Sequence, residues 1–294
     1  VTSLFHPAGT PPKLGLFAVN MEPTVGPAEL APLAALTEEL GYESLWAGEH
    51  PVFPDPPTTD SPWNPRMPLV DPVVTLAYLA GITTRLRLAT GILLLPLRQP
   101  VLLAKQLASL DVLSGGRVIM GFGMGYIRKE AEVFGIGFAD RAARGEEHLA
   151  AMRSLWHDEH PFFQGRFVDF KGVDAHPRPV QSDLHVVAGG HTGAALRRAV
   201  TTAHGWYGWN LSPAEVTEHK EELTRVAAQF GRPERLGPLE LTVTPPQGPL
   251  AADEFERYAA AGVDRLVVYP RFGESAEQVQ EFVHLHAPLA RAGD

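Results

Sequence analysis

Apolar runs without a helical period alternate along the chain with stretches whose leucines recur every three or four positions. The run LGLFAVN (14–20) is apolar on both faces of an extended chain, so it reads as a buried strand. PAELAPLAALTEELG (27–41) follows, with Leu30, Leu33, Leu36 and Leu40 at helical spacing and Gly41 at the stop. The rhythm then repeats. ESLWAGE (43–49), LRLATGILLLP (86–96), RVIMGFGM (117–124), LHVVAGG (184–190), WYGWN (206–210), LELTVTP (239–245) and DRLVVYP (264–270) are predicted strands. Helices are predicted over 71–81, 100–115, 144–157, 194–205, 212–231, 251–262 and 275–290. Asp71-Pro72 and Ser212-Pro213 each pair an N-cap with a proline at the first helical position. PFFQGRFVDF reads as a hairpin with Gln164-Gly165 in the turn.

Eight strand-then-helix units in 294 residues predict an α/β fold, a closed (β/α)8 TIM barrel with loop insertions that spans 1–294 as one domain. An open doubly wound sheet is the alternative. The segment at about 50–70, HPVFPDPPTTDSPWNPRMPLV, is a long loop rich in Pro and Asp, the kind that often forms a lid. A barrel carries its functional residues where strands end. The positions to watch are therefore Asn20, Glu49–His50, Gly91–Ile92, Gly123–Tyr126, Gly189–Thr192, Trp206–Asn210, Thr244 and Arg271.

Composition narrows the chemistry. The net charge of −9 offers no basic stretch for a nucleic-acid backbone, although Arg98 or Arg271 could meet a small anion. The absence of cysteine excludes disulfides, thiolate catalysis and cysteine-ligated metals. The longest apolar run, GILLLP, is too short to cross a bilayer, and the N-terminus lacks a signal-peptide pattern. A soluble, cytoplasmic protein acting on a small organic molecule is expected.

The glycines at 121, 123 and 125 are spaced G-x-G-x-G, whereas a Rossmann fingerprint needs G-x-G-x-x-G in the first βα turn. They serve either close strand packing or a ligand at the end of the fourth strand. A second glycine loop, AGGHTGAAL, places Gly189, Gly190, His191 and Thr192 at a helix start, where free N–H groups suit a phosphate or form an ordinary turn. His50 can act as acid or base near neutral pH, or simply cap a loop, with Glu49 beside it. Trp63, Trp206 and Trp209 are candidates to hold a flat ligand, while Trp46, inside a strand, is expected in the core. HDEH (157–160) and HLH (284–286) lack a third metal ligand and are expected to be solvated, so no metal site is assigned. No G-x-S-x-G elbow is present.

Taken in order, ESLWAGEH, RLATGILLLPLRQPVLLAKQLASLDVLSGGRVIMGFGMGYIRKEAEVFGI and AGGHTGAALRRAVTTAHGW resemble the bacterial luciferase-like family of flavin- and deazaflavin-dependent oxidoreductases, over about 14–275. The resemblance implies a (β/α)8 barrel that holds FMN or coenzyme F420 at its rim. His50 then matches a histidine beside the deazaflavin ring that assists proton transfer, with Glu49 an accompanying acid. Thr90, Gly91 and Ile92 match a bulge that backs the ring and carries a non-prolyl cis peptide. Gly123, Met124 and Gly125 match a loop that approaches the cofactor, with Asn20 also on its side of the rim. Gly189 and Gly190 match the loop near its phosphate, with His191 and Thr192 as helpers. Tyr126 stands where the sugar-phosphate dehydrogenase branch has an acidic residue, which argues against that activity and leaves Tyr126 to donate to substrate or to pack. Trp63, Trp206, Trp209 and Arg271 are the substrate-side candidates, and the role of Arg271 stays open between an anion partner and a surface ion pair. The resemblance favours an F420-dependent oxidoreductase, a homodimer. An FMN-dependent monooxygenase supplied by a separate reductase is the alternative, and a non-catalytic flavin-binding protein the third reading.

Overall fold

The computed structural model describes residues 3–292. Eight parallel strands close into a barrel among these residues: β1 (Lys13–Phe17), β2 (Ser44–Ala47), β3 (Arg87–Thr90), β4 (Val118–Gly123), β5 (Val186–Gly189), β6 (Gly205–Trp209), β7 (Glu240–Thr244) and β8 (Arg265–Val268). β1 pairs with both β2 and β8, and the pairing of Leu88 and Ala89 with Val118 and Ile119 joins β3 to β4 and shuts the cylinder. The closed TIM barrel is therefore the fold, and the open sheet is not.

The helices are α1 (Pro27–Glu39), α2 (Pro72–Ile82), α3 (Pro100–Ser114), α4 (Arg128–Val133), α5 (Arg141–His157), α6 (Gly193–Thr202), α7 (Pro213–Phe230), α8 (Ala252–Ala261) and α9 (Ala276–Ala292). Their starts follow from the sequence. The Asp71 carboxylate accepts from the N–H groups of Val73 and Val74 at 2.9 and 3.1 Å, and Ser212 forms a capping box with Glu215. α4 is too short for a periodic signal and was not predicted.

Most strands are apolar on both faces because each face has a different neighbour, while β7 turns Glu240, Thr242 and Thr244 inward. Leu14, Leu45, Leu88, Met120, Val186 and Leu266 point outward beneath the helices. Phe17, Trp46, Ala89, Ile119, Val187, Tyr207 and Val267 fill the interior. Trp46 is fully buried there, as expected, stacked on Tyr207 at 5.1 Å, with its indole N–H donated to Ser44. Gly15 makes this possible: a Cβ there would stand 2.9 Å from the Trp46 indole nitrogen. Below Trp46, the buried Arg265 guanidinium holds Glu43 and Glu240 and closes the floor.

Three local expectations change. The predicted third strand stops at Thr90, resumes at Leu93–Leu94 and ends in a 3-10 turn at Leu95–Leu97. In the hairpin, Gln164 pairs with Asp169 and Gly165–Val168 form the turn, so the turn lies one residue later than predicted. His286 is not solvated: it is fully buried, and its Nε2 accepts from the Leu250 N–H at 2.9 Å, tying α9 to the loop before α8. No helix among the described residues is long and apolar enough to cross a membrane.

Candidate active site

A cavity of about 300 Å³ opens at the C-terminal end of the barrel. Its floor is Phe17, Gly48, Gly91, Ile92, Gly189 and Tyr207, at or just beyond the ends of β1, β2, β3, β5 and β6. Phe53, Trp63, Met67 and Leu69 enter from the long loop at 50–70, and Trp209, Tyr269 and Phe272 from beyond β6 and β8. The aromatic rings touch in series. Trp63 lies 5.3 Å from Phe272, Phe272 lies 5.3 Å from Tyr269, and Tyr269 lies 5.4 Å from Trp209. The long loop therefore reaches across the mouth to the far wall, which fits the lid expected of it.

His50 is the polar centre of this apolar space. Its Nδ1 faces the Glu130 carboxylate at 3.2 Å, and its Nε2 lies 3.3 Å from the Tyr126 hydroxyl. The Trp63 indole N–H donates to the same hydroxyl at 3.4 Å. Glu130 is 1% exposed, and His50 is its one hydrogen-bonding partner among the described residues. A buried carboxylate needs a donor, so Nδ1 carries the proton toward Glu130. Nε2 is then the variable position, facing Tyr126 and the cavity. Burial raises the Tyr126 phenol, the Trp63 donor opposes that, and the nearby Glu130 and Asp60 charges add to it. Tyr126 thus stays a protonated donor at neutral pH.

His191 has the opposite setting. Its Nε2 accepts from the Trp209 N–H at 3.0 Å, and burial, reinforced by His219, lowers its pKa. It is a neutral imidazole with its proton on Nδ1.

The structure brings His50, Trp63, Gly91, Ile92, Gly125, Tyr126, Gly189, Gly190, His191 and Trp209 to the cavity. Others are elsewhere, each for a visible reason. Glu49 borders the cavity, but its carboxylate accepts from the Arg98 guanidinium and, at 2.6 Å, from the Leu94 N–H, so it braces the segment after β3 and has no free oxygen for catalysis. Arg98 is equally committed, with Asp71 at 2.7 Å. Asn20 donates to the carbonyls of Gly48 and Val70 and accepts from the Gly48 N–H, a staple between the ends of β1 and β2 and the long loop. The Thr90 hydroxyl donates to the Gly121 carbonyl at 2.7 Å.

Gly123 gives room to the Ile92 side chain rather than to a ligand, and Gly189 does so too, since a Cβ on it would fall 2.7 Å from Ile92 Cδ1. Met124 packs outward against Gly145 of α5. Thr192 caps α6 by accepting from the Ala195 N–H at 3.3 Å. Trp206 is fully buried behind the barrel wall, its indole N–H on the Gly190 carbonyl at 2.8 Å, so it supports the glycine loop from behind. Arg271 lies against Gly248, outside the cavity.

The cavity suits a flat ring. Its walls are glycine backbone, the Ile92 side chain and aromatic faces, with the Gly91–Ile92 peptide in the cis form expected for it. Gly190, at φ 114°, turns the chain into the N-terminus of α6, whose unpaired N–H groups can receive a phosphate.

With this geometry in view, residues 10–291 match the family described as luciferase-like monooxygenase. An uncharacterised protein of Mycobacterium tuberculosis is 32% identical over 287 residues, covering 94% of this chain and 98% of its own. Among solved structures, an F420-dependent secondary alcohol dehydrogenase in complex with an F420–acetone adduct superposes with a TM-score of 0.78 at 15% identity, over 96% of this chain and 99% of that one. The oxygenating constituent of 3,6-diketocamphane monooxygenase from Pseudomonas putida, in complex with FMN, superposes with a TM-score of 0.62 at 19% identity, over 79% of this chain and 66% of that one.

Proposed function

Since the chain belongs to the luciferase-like monooxygenase family, whose members are F420- or FMN-dependent oxidoreductases and monooxygenases, we propose that it is a coenzyme F420-dependent oxidoreductase of a small organic substrate. The observation that carries this reading is the hydrogen-bonded series Trp63–Tyr126–His50–Glu130, which ends at the edge of a flat, apolar cavity. A bound deazaflavin exchanges a hydride with a substrate carbon. What the protein must add is a proton at the substrate heteroatom, a fixed orientation and exclusion of water.

In the reducing direction, His50 delivers a proton from Nε2, directly or through the Tyr126 hydroxyl, while Glu130 stabilises the imidazolium that precedes delivery. In the oxidising direction the neutral Nε2 accepts that proton. Gly91 and Ile92 would support the ring, and the Gly190–Thr192 turn at the start of α6 would receive the phosphate. Titration of the purified protein with F420 and with FMN, followed by cofactor fluorescence, tests the proposal. Saturable F420 binding is expected, and tight FMN binding without F420 binding would overturn it. Oxygen uptake with reduced FMN and a substrate would put the monooxygenase in its place.

We propose further that the protein is a homodimer joined through α2. The outward positions of this helix are Val74, Ala77, Tyr78, Gly81 and Ile82, without one charged side chain, and α3 beside it exposes Leu102 and Leu113. Solvated helices seldom present an uncharged face of this extent, whereas a two-fold axis covers it with itself. Ile82→Glu is expected to give a monomer by light scattering; an unchanged mass would count against this surface.

A further inference from the structure

We infer that the substrate side of the cavity takes a neutral, largely apolar molecule that presents one oxygen to Tyr126 and His50, and that it rejects carboxylates and phosphates. This rests on reading the cavity as a redox site, because that reading assigns the glycine floor to the cofactor and leaves the outer walls to the substrate.

Those walls carry the argument. Phe53, Trp63, Met67, Leu69 and Phe272 have no polar group besides the Trp63 N–H, which is already given to Tyr126. Among the described residues, no lysine or arginine lines the cavity. Arg98, the partner of Glu49, is held by Glu49 and Asp71, and Arg271 lies over Gly248, outside the cavity. The His191 Nε2 accepts from the Trp209 N–H, and its lowered pKa goes with a neutral ring.

The tyrosines cannot compensate. Burial raises Tyr207 and Tyr269, so both remain neutral phenols, and the Tyr207 hydroxyl is engaged with Thr244 at 2.6 Å. One feature favours an anion, the N-terminus of α6, and the cofactor phosphate occupies it in the proposed function. A substrate anion would therefore be desolvated against aromatic rings with the buried Glu130 charge close behind His50. That costs far more than a neutral oxygen receiving the Tyr126 hydrogen bond. The Tyr126–His50 pair fixes where the substrate oxygen sits, and the rings accept a range of apolar bodies.

Isothermal titration with matched pairs tests this: acetophenone against its para-carboxylate, and cyclohexanone against its ring carboxylate. The titrations use protein saturated with whichever of F420 and FMN binds, or protein alone if neither does, so a failed cofactor assignment leaves the test standing. The neutral member is expected to bind at least about tenfold more tightly in each pair. Met67→Arg, which adds a cation to the wall formed by the long loop without touching His50, is expected to erase or reverse that preference. Equal or tighter binding of the carboxylates by the unmodified protein would overturn the inference. So would binding of neither member of any pair, or a preference unchanged in Met67→Arg.

Discussion

Replacing His50 by asparagine is expected to lower turnover by about two to four orders of magnitude, the usual loss when a general acid–base is removed. Cofactor affinity should change only a few fold, because in the proposed function Gly91, Ile92 and backbone, rather than the imidazole, would support the ring. Asparagine keeps a polar group near Glu130, so the buried carboxylate is not stranded and the thermal midpoint should hold. Glu130→Gln separates positioning from proton transfer. It retains a partner for Nδ1 but removes the negative charge behind the imidazole, so kcat should fall by less than in His50→Asn. Tyr126→Phe should cost about tenfold if the phenol relays the proton, and less if His50 meets the substrate directly. Steady-state and pre-steady-state kinetics across pH provide the measurement. An unchanged kcat in His50→Asn would remove His50 from the chemistry.

The eight units of the barrel were legible because strands covered on both faces and helices with an apolar stripe leave distinct periodic marks. His50 and Tyr126 were legible because they follow strands, and rim position alone made them candidates. Glu130 was not. It lies in Arg128-Lys129-Glu130-Ala131-Glu132, which reads as a solvated helical turn, and only the course of α4 turns Glu130 inward while Glu132 stays exposed. The same limit misplaced Trp206, since a strand residue beside a rim position faces the helices, not the cavity. Its neighbour Tyr207 is the one that faces in.

The glycines of β4 show the subtlest difference. Their spacing announced a close approach, but not of what. Gly121 admits the Thr90 carbonyl, Gly123 admits Ile92, and only Gly125 of the three reaches the cavity. The loop shapes the cavity mainly by letting the segment after β3 fold against β4 and form the cavity floor.

The barrel floor offers the largest effect on stability. Arg265 is 2% exposed, with Glu43 in a two-point contact at 2.7 and 2.8 Å and Glu240 on its third nitrogen. Arg265→Met is expected to cost about 3–5 kcal/mol in denaturant unfolding, because it takes the principal cation from two largely buried carboxylates. The pH dependence gives the mechanism its own signature. Burial alone would raise Glu240, but the Arg265 charge overrides it, with help from His185, and holds this carboxyl well below the usual range. Glu43 is lowered by the same balance. A carboxyl with a depressed folded pKa contributes stability above its unfolded pKa and loses it as pH falls through the folded value. The unmodified floor should therefore keep its contribution from about pH 8 to about pH 5. Without Arg265, burial is opposed only by His185 at Glu240 and by Ser44 and Arg87 at Glu43, so both carboxyls move up. The deficit is then complete above those raised values and shrinks as the pH falls through them, since protonation removes the buried charge. Adding Glu43→Gln and Glu240→Gln to Arg265→Met should recover part of the loss at neutral pH and flatten this dependence. A deficit that stayed constant with pH would mean that Arg265 acts through its packing beneath Trp46 and not through its charge.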